Sequence, residues 1–223
     1  DCAHSCYVPG AGSFGDIAVW SFQGVKTMPT GDGGMITLND ENIYKKIKKL
    51  IWFGIESTYS RDKNSGRFGE NKNKAGYRWQ YDIDILGYKC YMIDLTASLG
   101  LSQLNKLNKN LERRRFIQQK YNEAFENITD FQIPPWSETC QYYCARVNVD
   151  KRDNMIDYLS DKKIHTSVHF RPLHLFTYYK QDRSFPVADI EWLKLISLPV
   201  HLNMTDDDIE YVIYWVNEFF KDN

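Results

Sequence analysis

The sequence has no excess of charge of either sign and no long apolar run. Its 28 lysines and arginines are balanced by 29 aspartates and glutamates, which gives a formal net charge of -1. This balance provides no overall field that would favour nucleic acid or an anionic membrane, so any anion must be captured locally. No apolar run reaches the length that spans a bilayer, and the first residues lack the pattern of a signal peptide. We therefore expect a cytoplasmic protein that binds neither nucleic acid nor a membrane.

Cysteine is scarce, with five residues in a chain of 223. An odd number scattered through a chain of this size argues against a disulfide framework and for reduced thiols. Two pairs have C-x-x-x-C spacing, but neither is accompanied by the clustered histidines and cysteines of a zinc site, so we expect no metal. The five residues are Cys2, Cys6, Cys90, Cys140 and Cys144.

The first half of the chain has the pattern of an α/β region. Residues 16–39 alternate short strand-like runs with turn residues, and residues 41–54 have the apolar spacing of an amphipathic helix. Residues 56–76 are polar and rich in glycine, asparagine and lysine, which predicts an exposed loop. From Met92 to about Asn127 apolar residues recur mostly every three or four positions, which predicts one long helix.

The second half has the pattern of a smaller α+β unit that follows the break at residues 133–136. We predict a strand over residues 141–149, a helix over 151–162, a strand over 164–170, and a last helix capped at Thr205. The chain therefore divides into residues 1–127, with the linking helix at their end, and residues 128–223. The expected fold class is α/β, with mostly parallel strands in the first part.

Lys26 is the one cation between a strand-like run, residues 17–22, and the glycine cluster at residues 31–34. Desolvation disfavours the ammonium form, so burial makes a lysine a nucleophilic amine that captures aldehydes and ketones. Glycines let the backbone approach a ligand closely, and the hydroxyl of Ser21 is suited to an anion such as phosphate. The alternative is a solvated lysine beside an ordinary tight turn.

Six motifs in this order resemble the pyridoxal-phosphate-dependent aminotransferases that act on nucleotide-linked keto sugars. The resemblance covers nearly the whole chain and is much more specific than a single glycine cluster. It implies part of the large domain of a fold type I aminotransferase, followed by the small C-terminal domain. The motifs are DCAHS at residues 1–5, GSFGDIAVWSF at 12–22, VKTMPTGDGGMI at 25–36, LGYKCYMIDLTASLG at 86–100, VHFRPLH at 168–174 and FPVAD at 185–189.

The resemblance implies a role for each matching position around pyridoxal 5'-phosphate. Lys26 would bind the cofactor covalently and then move the proton between cofactor and sugar. Asp1 would face the pyridine nitrogen and keep it protonated, and His4 would lie near the ring hydroxyl. Ser21 would hold the phosphate. Without the resemblance, Asp1 and His4 read equally well as part of a solvated terminus.

Further positions concern the subunit interface and the sugar. Lys89 stands where many relatives have an asparagine that reaches the phosphate of the neighbouring subunit, which implies a homodimer with a shared active site. His169 and His174 match the small-domain segment that approaches the sugar, and Arg171 is a candidate for a diphosphate or carboxylate contact. The alternative for these three is a packed strand with surface histidines.

The implied reaction is transfer of an amino group, with glutamate as the usual donor, to a nucleotide-linked 4-keto-6-deoxy sugar. Some relatives have histidine in place of the lysine and dehydrate the sugar, so Lys26 favours transfer and dehydration stays the alternative. Perosamine- or viosamine-like products fit the pattern. The sequence leaves open whether the base is GDP, dTDP or UDP, and whether C3 or C4 is aminated.

One departure from the family concerns the start of the chain. Family members have a segment ahead of the aspartate that supplies the rest of the central sheet and part of the cofactor pocket, and it is missing here. A third hypothesis is therefore an inactive fragment or pseudoenzyme retained as a dimerising subunit. The basic residues of the loop at 56–76 either help to cover a nucleotide diphosphate or are only solvated. They are Arg61, Lys63, Arg67, Lys72 and Lys74.

Overall fold

The structure, a computed structural model that describes residues 1–55 and 82–222, divides into two units. The first unit consists of Asp1–Ala3 and Pro9–Gln103, and the second of His4–Val8 and Leu104–Asn223. The chain therefore passes from the first unit to the second within the DCAHS motif, between Ala3 and His4. The predicted domain boundary after residue 127 stays a prediction.

A two-stranded ladder forms the centre of the first unit. Strand β1 (Ile17–Ser21) pairs with β2 (Gly34–Leu38), in a register that places Ser21 opposite Gly34. Helix α1 (Glu41–Leu50) follows, and its N-terminal cap is Asp40, whose Oδ1 accepts from the N–H groups of Asn42 and Ile43 at 2.8 and 2.9 Å. The predicted amphipathic helix is thus confirmed.

The two strands described in this unit, β1 and β2, pair antiparallel, which a mainly parallel sheet accommodates as one pair at its edge. The reason lies in the connection between β1 and β2. Parallel neighbours need a crossover of a dozen or more residues, usually a helix, whereas residues 22–33 form turns that bring the chain straight back. The unit still combines strands with helices, as the α/β pattern predicts.

The long helix predicted from the apolar spacing is α2 (Asp94–Phe125). In the second unit it covers a three-stranded antiparallel sheet of order β3-β4-β5, together with α3 (Val149–Asp161) and α5 (Asp206–Asp222). The strands are β3 (Phe131–Gln132), β4 (Tyr143–Val147) and β5 (Leu195–Leu198), and the short helix α4 (Pro186–Glu191) precedes β5.

Large aromatic and aliphatic side chains fill the core of this second unit. Tyr121 and Phe125 from α2, Tyr143 from β4, Met155 from α3 and Val216 from α5 have no exposed surface. Strand β4 is buried at alternate positions, as expected for a strand with one face on the core. The core therefore fixes the position of β4 and of the residues just ahead of it.

Two predictions at the ends of elements had different outcomes. Thr205 caps α5 as expected, because its Oγ1 accepts from the N–H of Asp208 while the Asp208 carboxylate accepts from the N–H of Thr205. The strand predicted over residues 164–170 is wrong, since only Ser167 bridges to Ser197. Ser167 pairs with Ser197 through both its N–H and its carbonyl, so the contact of this segment with β5 is limited to one residue.

Arg114 provides a direct test of this fold, because it is buried without a carboxylate partner. Its guanidinium donates to the carbonyls of Cys140, Gln141 and Val200 at 3.2, 3.5 and 3.2 Å. Arg114→Met keeps the apolar stem but leaves these carbonyls without their donor, so we expect the free energy of unfolding to fall by about 2–3 kcal/mol in urea denaturation.

The neighbouring Arg115 is the matched control. Its pair with Glu138 is partly exposed, with 33% and 48% of the two side chains accessible, so Arg115→Met should cost less than about 1 kcal/mol. Equal losses in the two variants would contradict the structural role assigned to Arg114.

Candidate functional site

Lys26 lies in the middle of a loop whose two ends are joined by hydrogen bonds. The N–H of Phe22 donates to the carbonyl of Gly33, and the N–H of Thr30 donates to the carbonyl of Phe22, both at 2.8 Å. The side chain of Thr30 adds a bond from its Oγ1 to the carbonyl of Asp32 at 2.7 Å. Residues 23–29 are therefore presented as a closed loop at the end of the β1–β2 ladder.

Within this loop Lys26 is half-buried, not fully buried. Its backbone N–H donates to the carbonyl of Gln23 at 2.9 Å, which forms a turn at the loop's tip. A lysine on a fixed turn can present its amine to a carbonyl group, but the full burial expected from the sequence is not observed. The role of Lys26 stays a prediction on this geometry.

The glycines that follow Lys26 differ in what they do. Gly31 has a φ of 87°, and a Cβ placed there would meet no atom within 4 Å, so this position has open space around it. A Cβ at Gly34 would lie 2.7 Å from the carbonyl oxygen of Trp20, so glycine is needed there for close pairing of the strands. Glycine at position 31 therefore serves the positive φ of the turn, and glycine at position 34 serves the close pairing of the strands.

Ser21 and Asp1, both expected to hold the cofactor, lie against the same strand. Ser21 ends β1 and is half-buried, and its Oγ accepts only a long bond, 3.4 Å, from the N–H of Gln23. The N–H of Cys2 donates to the carbonyl of Val19 at 2.8 Å, which fixes the start of the chain beside β1. One carboxylate oxygen of Asp1 accepts from the N–H of Ala3 at 2.8 Å.

Lys89 belongs to the first unit as well, on an exposed segment after α1. The segment is tied to the end of that helix, since Lys89 bridges to Trp52 and the N–H of Tyr88 donates to the carbonyl of Leu50 at 2.7 Å. The Lys89 ammonium lies 5.9 Å from the centre of the Tyr91 ring. An exposed cation on a fixed backbone is compatible with the predicted contact to a phosphate of another subunit.

His4 and His169, 165 positions apart in the sequence, meet in the second unit on either side of Tyr142. The His169 ring stacks on Tyr142 with centroids 3.7 Å apart and planes at 19°, whereas the His4 ring meets Tyr142 edge-on at 5.1 Å. The carbonyl of His4 accepts from Thr139 Oγ1 at 2.8 Å. Sequence reasoning named both histidines but missed Tyr142 and Thr139, which no motif marked.

The environment of His169 favours its neutral form. Burial, and then the nearby His4, lower the pKa of His169 below its ordinary value. Its Nδ1 lies 2.8 Å from the Oγ of the buried Ser197, on β5. A neutral imidazole with one nitrogen held in this way can act as a directed hydrogen-bonding group.

His174 and Arg171 make contacts within their own segment. His174 Nε2 lies 2.6 Å from Asp189 Oδ1, and its ring stacks on Phe185 at 4.6 Å. Both partners belong to the FPVAD motif at residues 185–189. The sequence marks this motif but does not predict that it contacts His174. Arg171 is exposed, donates to the carbonyl of Leu175 at 3.1 Å and lies over the Phe176 ring. The roles of both residues toward a sugar stay predictions.

Other sequence predictions concern metals, thiols, membranes and the basic loop. All five cysteines are free thiols. Residues 1–55 and 82–222 contain no group of three or more His, Cys, Asp or Glu side chains placed to hold a metal ion. Within the same residues no helix has both the length and the apolar character to cross a bilayer. The predicted loop at 56–76, with its basic residues, lies outside the described residues.

A family model matches almost the whole chain. It is that of the DegT/DnrJ/EryC1/StrS aminotransferase family, and the match covers residues 1–217. The six motifs and the loop around Lys26 all fall within the matched range.

Similar curated proteins are longer than this chain. Protein MJ1066 of Methanocaldococcus jannaschii is 36% identical, with 95% of this chain and 56% of the relative covered. The spore coat polysaccharide biosynthesis protein SpsC of Bacillus subtilis is 34% identical, covering 99% and 59%. The dTDP-4-dehydro-2,3,6-trideoxy-D-glucose 4-aminotransferase of Saccharopolyspora spinosa is 28% identical, covering 98% and 55%. The chain thus spans little more than half the length of these relatives.

Among solved structures, one similar chain is Spr1654 of Streptococcus pneumoniae, described as a sugar aminotransferase in its PLP form. It superposes on this chain with a TM-score of 0.82 at 28% identity, covering 100% of this chain and 57% of the other. The described helices and strands of this chain therefore have the same arrangement as the corresponding part of Spr1654.

The contact between the two histidines predicts a titration experiment. Because His4 contributes to the lowered pKa of His169, His4→Gln should raise the pKa of His169 without restoring its ordinary value, since burial is the larger cause and remains. The measurement is the pH titration of the imidazole proton signals by NMR. His201→Gln, on an exposed position, is the control and should leave the His169 midpoint in place.

The same lowered pKa has a consequence for stability. Unfolded His169 takes up a proton at a higher pH than folded His169. The contribution of neutral His169 to the stability of the fold is therefore complete above the ordinary pKa of about 6.5 and is lost as the pH falls through the folded value.

In the titration of His4→Gln, a His169 midpoint that stays fixed or falls would contradict the contact between the two histidines.

Proposed function

Because the chain belongs to the DegT/DnrJ/EryC1/StrS aminotransferase family, we propose that it transfers an amino group to a nucleotide-linked keto sugar with pyridoxal 5'-phosphate as cofactor. The observation that carries this proposal is the position of Lys26, a half-buried residue at the tip of a loop closed by hydrogen bonds. The activity is a proposal because the chain spans little more than half the length of its relatives.

The residues of the first unit fit the chemistry of this cofactor. Ser21 has a hydroxyl whose bond to the N–H of Gln23 is long, 3.4 Å, so this hydroxyl is suited to a phosphate. Asp1 has one carboxylate oxygen engaged by Ala3, and a carboxylate is the group that holds a pyridine nitrogen protonated. When bound, the cofactor supplies an electron sink for the carbon that changes its amino group.

Lys26 has two tasks in this account. Its amine would hold the cofactor covalently through the cofactor's carbonyl carbon. The same amine would also hold and move the proton at the sugar carbon that receives nitrogen. Closure of the loop by Phe22 and Thr30 limits the positions open to Lys26, so less orientation has to be gained when a ligand binds.

For the substrate, we propose a nucleotide-linked 4-keto-6-deoxy sugar with glutamate as donor, giving a perosamine- or viosamine-like 4-amino sugar. The name of the Saccharopolyspora relative supports amination at C4 of a nucleotide-linked sugar. His169, Arg171 and His174 are the candidates for contacts with the sugar or its diphosphate. A homodimer in which Lys89 reaches the partner's cofactor phosphate belongs to the same proposal, and the predicted cytoplasmic location stays a prediction.

A trapping experiment tests the role of Lys26. Pyridoxal 5'-phosphate added to the purified chain should give an absorbance band that borohydride abolishes, and peptide mass spectrometry should locate the reduced adduct on Lys26. Lys26→Arg should lose the adduct. Lys45→Arg, on the exposed face of α1 where Lys45 pairs with Glu41, should keep it. Equal labelling in Lys26→Arg and in the unchanged chain would overturn the assignment.

A product assay separates the alternative functions. With glutamate and a panel of GDP-, dTDP- and UDP-linked 4-keto sugars, we expect a 4-amino sugar from one member of the panel. A dehydrated sugar formed without glutamate would identify a dehydratase instead. A chain that self-associates but forms no adduct on Lys26 would support the inactive subunit.

A further inference from the structure

The loop that carries Lys26 contains two buried threonines with opposite hydrogen-bonding states. Thr27 is 4% exposed and Thr30 is 2% exposed, so neither hydroxyl is available to bulk water. They are three positions apart at the same loop, so each serves as the control for the other. A difference between their hydrogen bonds distinguishes a hydroxyl that holds the fold from one that is available to a ligand.

Thr30 is fully accounted for by the fold. Its Oγ1 donates to the carbonyl of Asp32 at 2.7 Å and lies 3.4 Å from the carbonyl of Phe22. Its N–H donates to the same Phe22 carbonyl. A Cβ at Gly100, in α2, would lie 3.2 Å from Thr30 Cγ2, so the methyl group is also closely packed. Thr30 thus closes the loop, and its one hydroxyl proton is used within the fold and is not available to donate to a ligand.

Thr27 Oγ1, in contrast, has no hydrogen-bond partner. Among the described residues of the first unit it is the one buried side-chain nitrogen or oxygen in that state. A buried hydroxyl without a partner costs stability, whereas valine has the same shape and no such cost. The hydroxyl therefore makes no net contribution to the folded state on its own, and a bound group would account for it.

The position of Thr27 indicates what that group is. Thr27 directly follows Lys26, and a threonine hydroxyl donates well to an anionic oxygen. A ligand captured by Lys26 supplies such an oxygen if it carries a phosphate or a phenolate. We propose that Thr27 is a binding residue whose hydroxyl donates to an anionic oxygen of the ligand held by Lys26. This inference rests on the proposed function and adds a residue to its site.

The first part of the test needs no ligand. Thermal unfolding of the ligand-free chain should show Thr27→Val with an unchanged or higher midpoint, because an unpaired buried hydroxyl is removed. Thr30→Val is the control and should lower the midpoint, because the bond to Asp32 is lost. A Thr27→Val chain that is destabilised as much as Thr30→Val, or that fails to fold, overturns the inference, since the hydroxyl would then have a structural partner.

The second part measures ligand binding by absorbance titration with pyridoxal 5'-phosphate. Thr27→Val should weaken binding by about tenfold, equivalent to about 1.4 kcal/mol, and Thr27→Ser, which keeps the hydroxyl, should stay within about twofold of the unchanged chain. Titration with pyridoxal, which lacks the phosphate, identifies the oxygen. The difference between threonine and valine disappears if the phosphate is contacted and persists if the phenolate is.

The outcomes separate this inference from the proposed function. If the unchanged chain binds the cofactor on Lys26 and Thr27→Val binds it equally tightly, the assignment of Thr27 fails and the proposed function stands. If the unchanged chain forms no adduct on Lys26, both fail. Thr27 is supported as a binding residue if Thr27→Val has an unchanged or raised unfolding midpoint and also binds pyridoxal 5'-phosphate more weakly.

Discussion

The backbone of Phe22 joins both ends of the loop on which the chemistry of this chain depends. Its N–H donates to Gly33 and its carbonyl accepts from Thr30, so a single buried residue continues the β1–β2 ladder on one side and closes the loop on the other. Fixing a loop before a ligand arrives removes an entropic cost that binding would otherwise have to meet. Lys26, Thr27 and Ser21 all owe their positions to this closure.

The second unit contributes a different kind of order. Its core of aromatic residues from α2 and β4 fixes the segment ahead of β4, and that segment carries Thr139 and Tyr142, which contact His4. Asp1 and His4 belong to one motif, yet they lie in different units, because the chain changes unit after Ala3. A short motif can thus contribute residues to two separately packed bodies.

The sequence predicts the elements better than it predicts their contacts. Periodic apolar spacing located α1 and α2, the Thr205 cap located α5, and the six motifs predicted a family and a fold class that the match over residues 1–217 and the TM-score of 0.82 confirm. The antiparallel direction of β1 and β2 was not foreseen, because strand direction depends on what connects two strands and the 22–33 connection has no regular period. The strand at 164–170 was wrong because apolar alternation does not specify which residues find a pairing partner, and only Ser167 bridges to β5.

Contacts between distant residues were harder to foresee than elements. The stacking of Tyr142 on His169 joins positions 27 residues apart in the sequence, and nothing in either local pattern marks the pairing. Likewise, Thr27 and Thr30 look alike in the sequence, and only the hydrogen bonds distinguish the threonine that closes the loop from the one whose hydroxyl has no partner. Such distinctions depend on three-dimensional position, which a single sequence does not specify.

Hydrogen exchange of the Thr30 amide in the ligand-free protein tests the closed loop most directly. The account predicts slow exchange, comparable with the paired amides of β1 and β2, because the bond to Phe22 forms without any ligand. Exchange at the rate of an unprotected amide, slowing only when pyridoxal 5'-phosphate is added, would contradict it. In that case the ligand, and not the fold, would order the loop that presents Lys26.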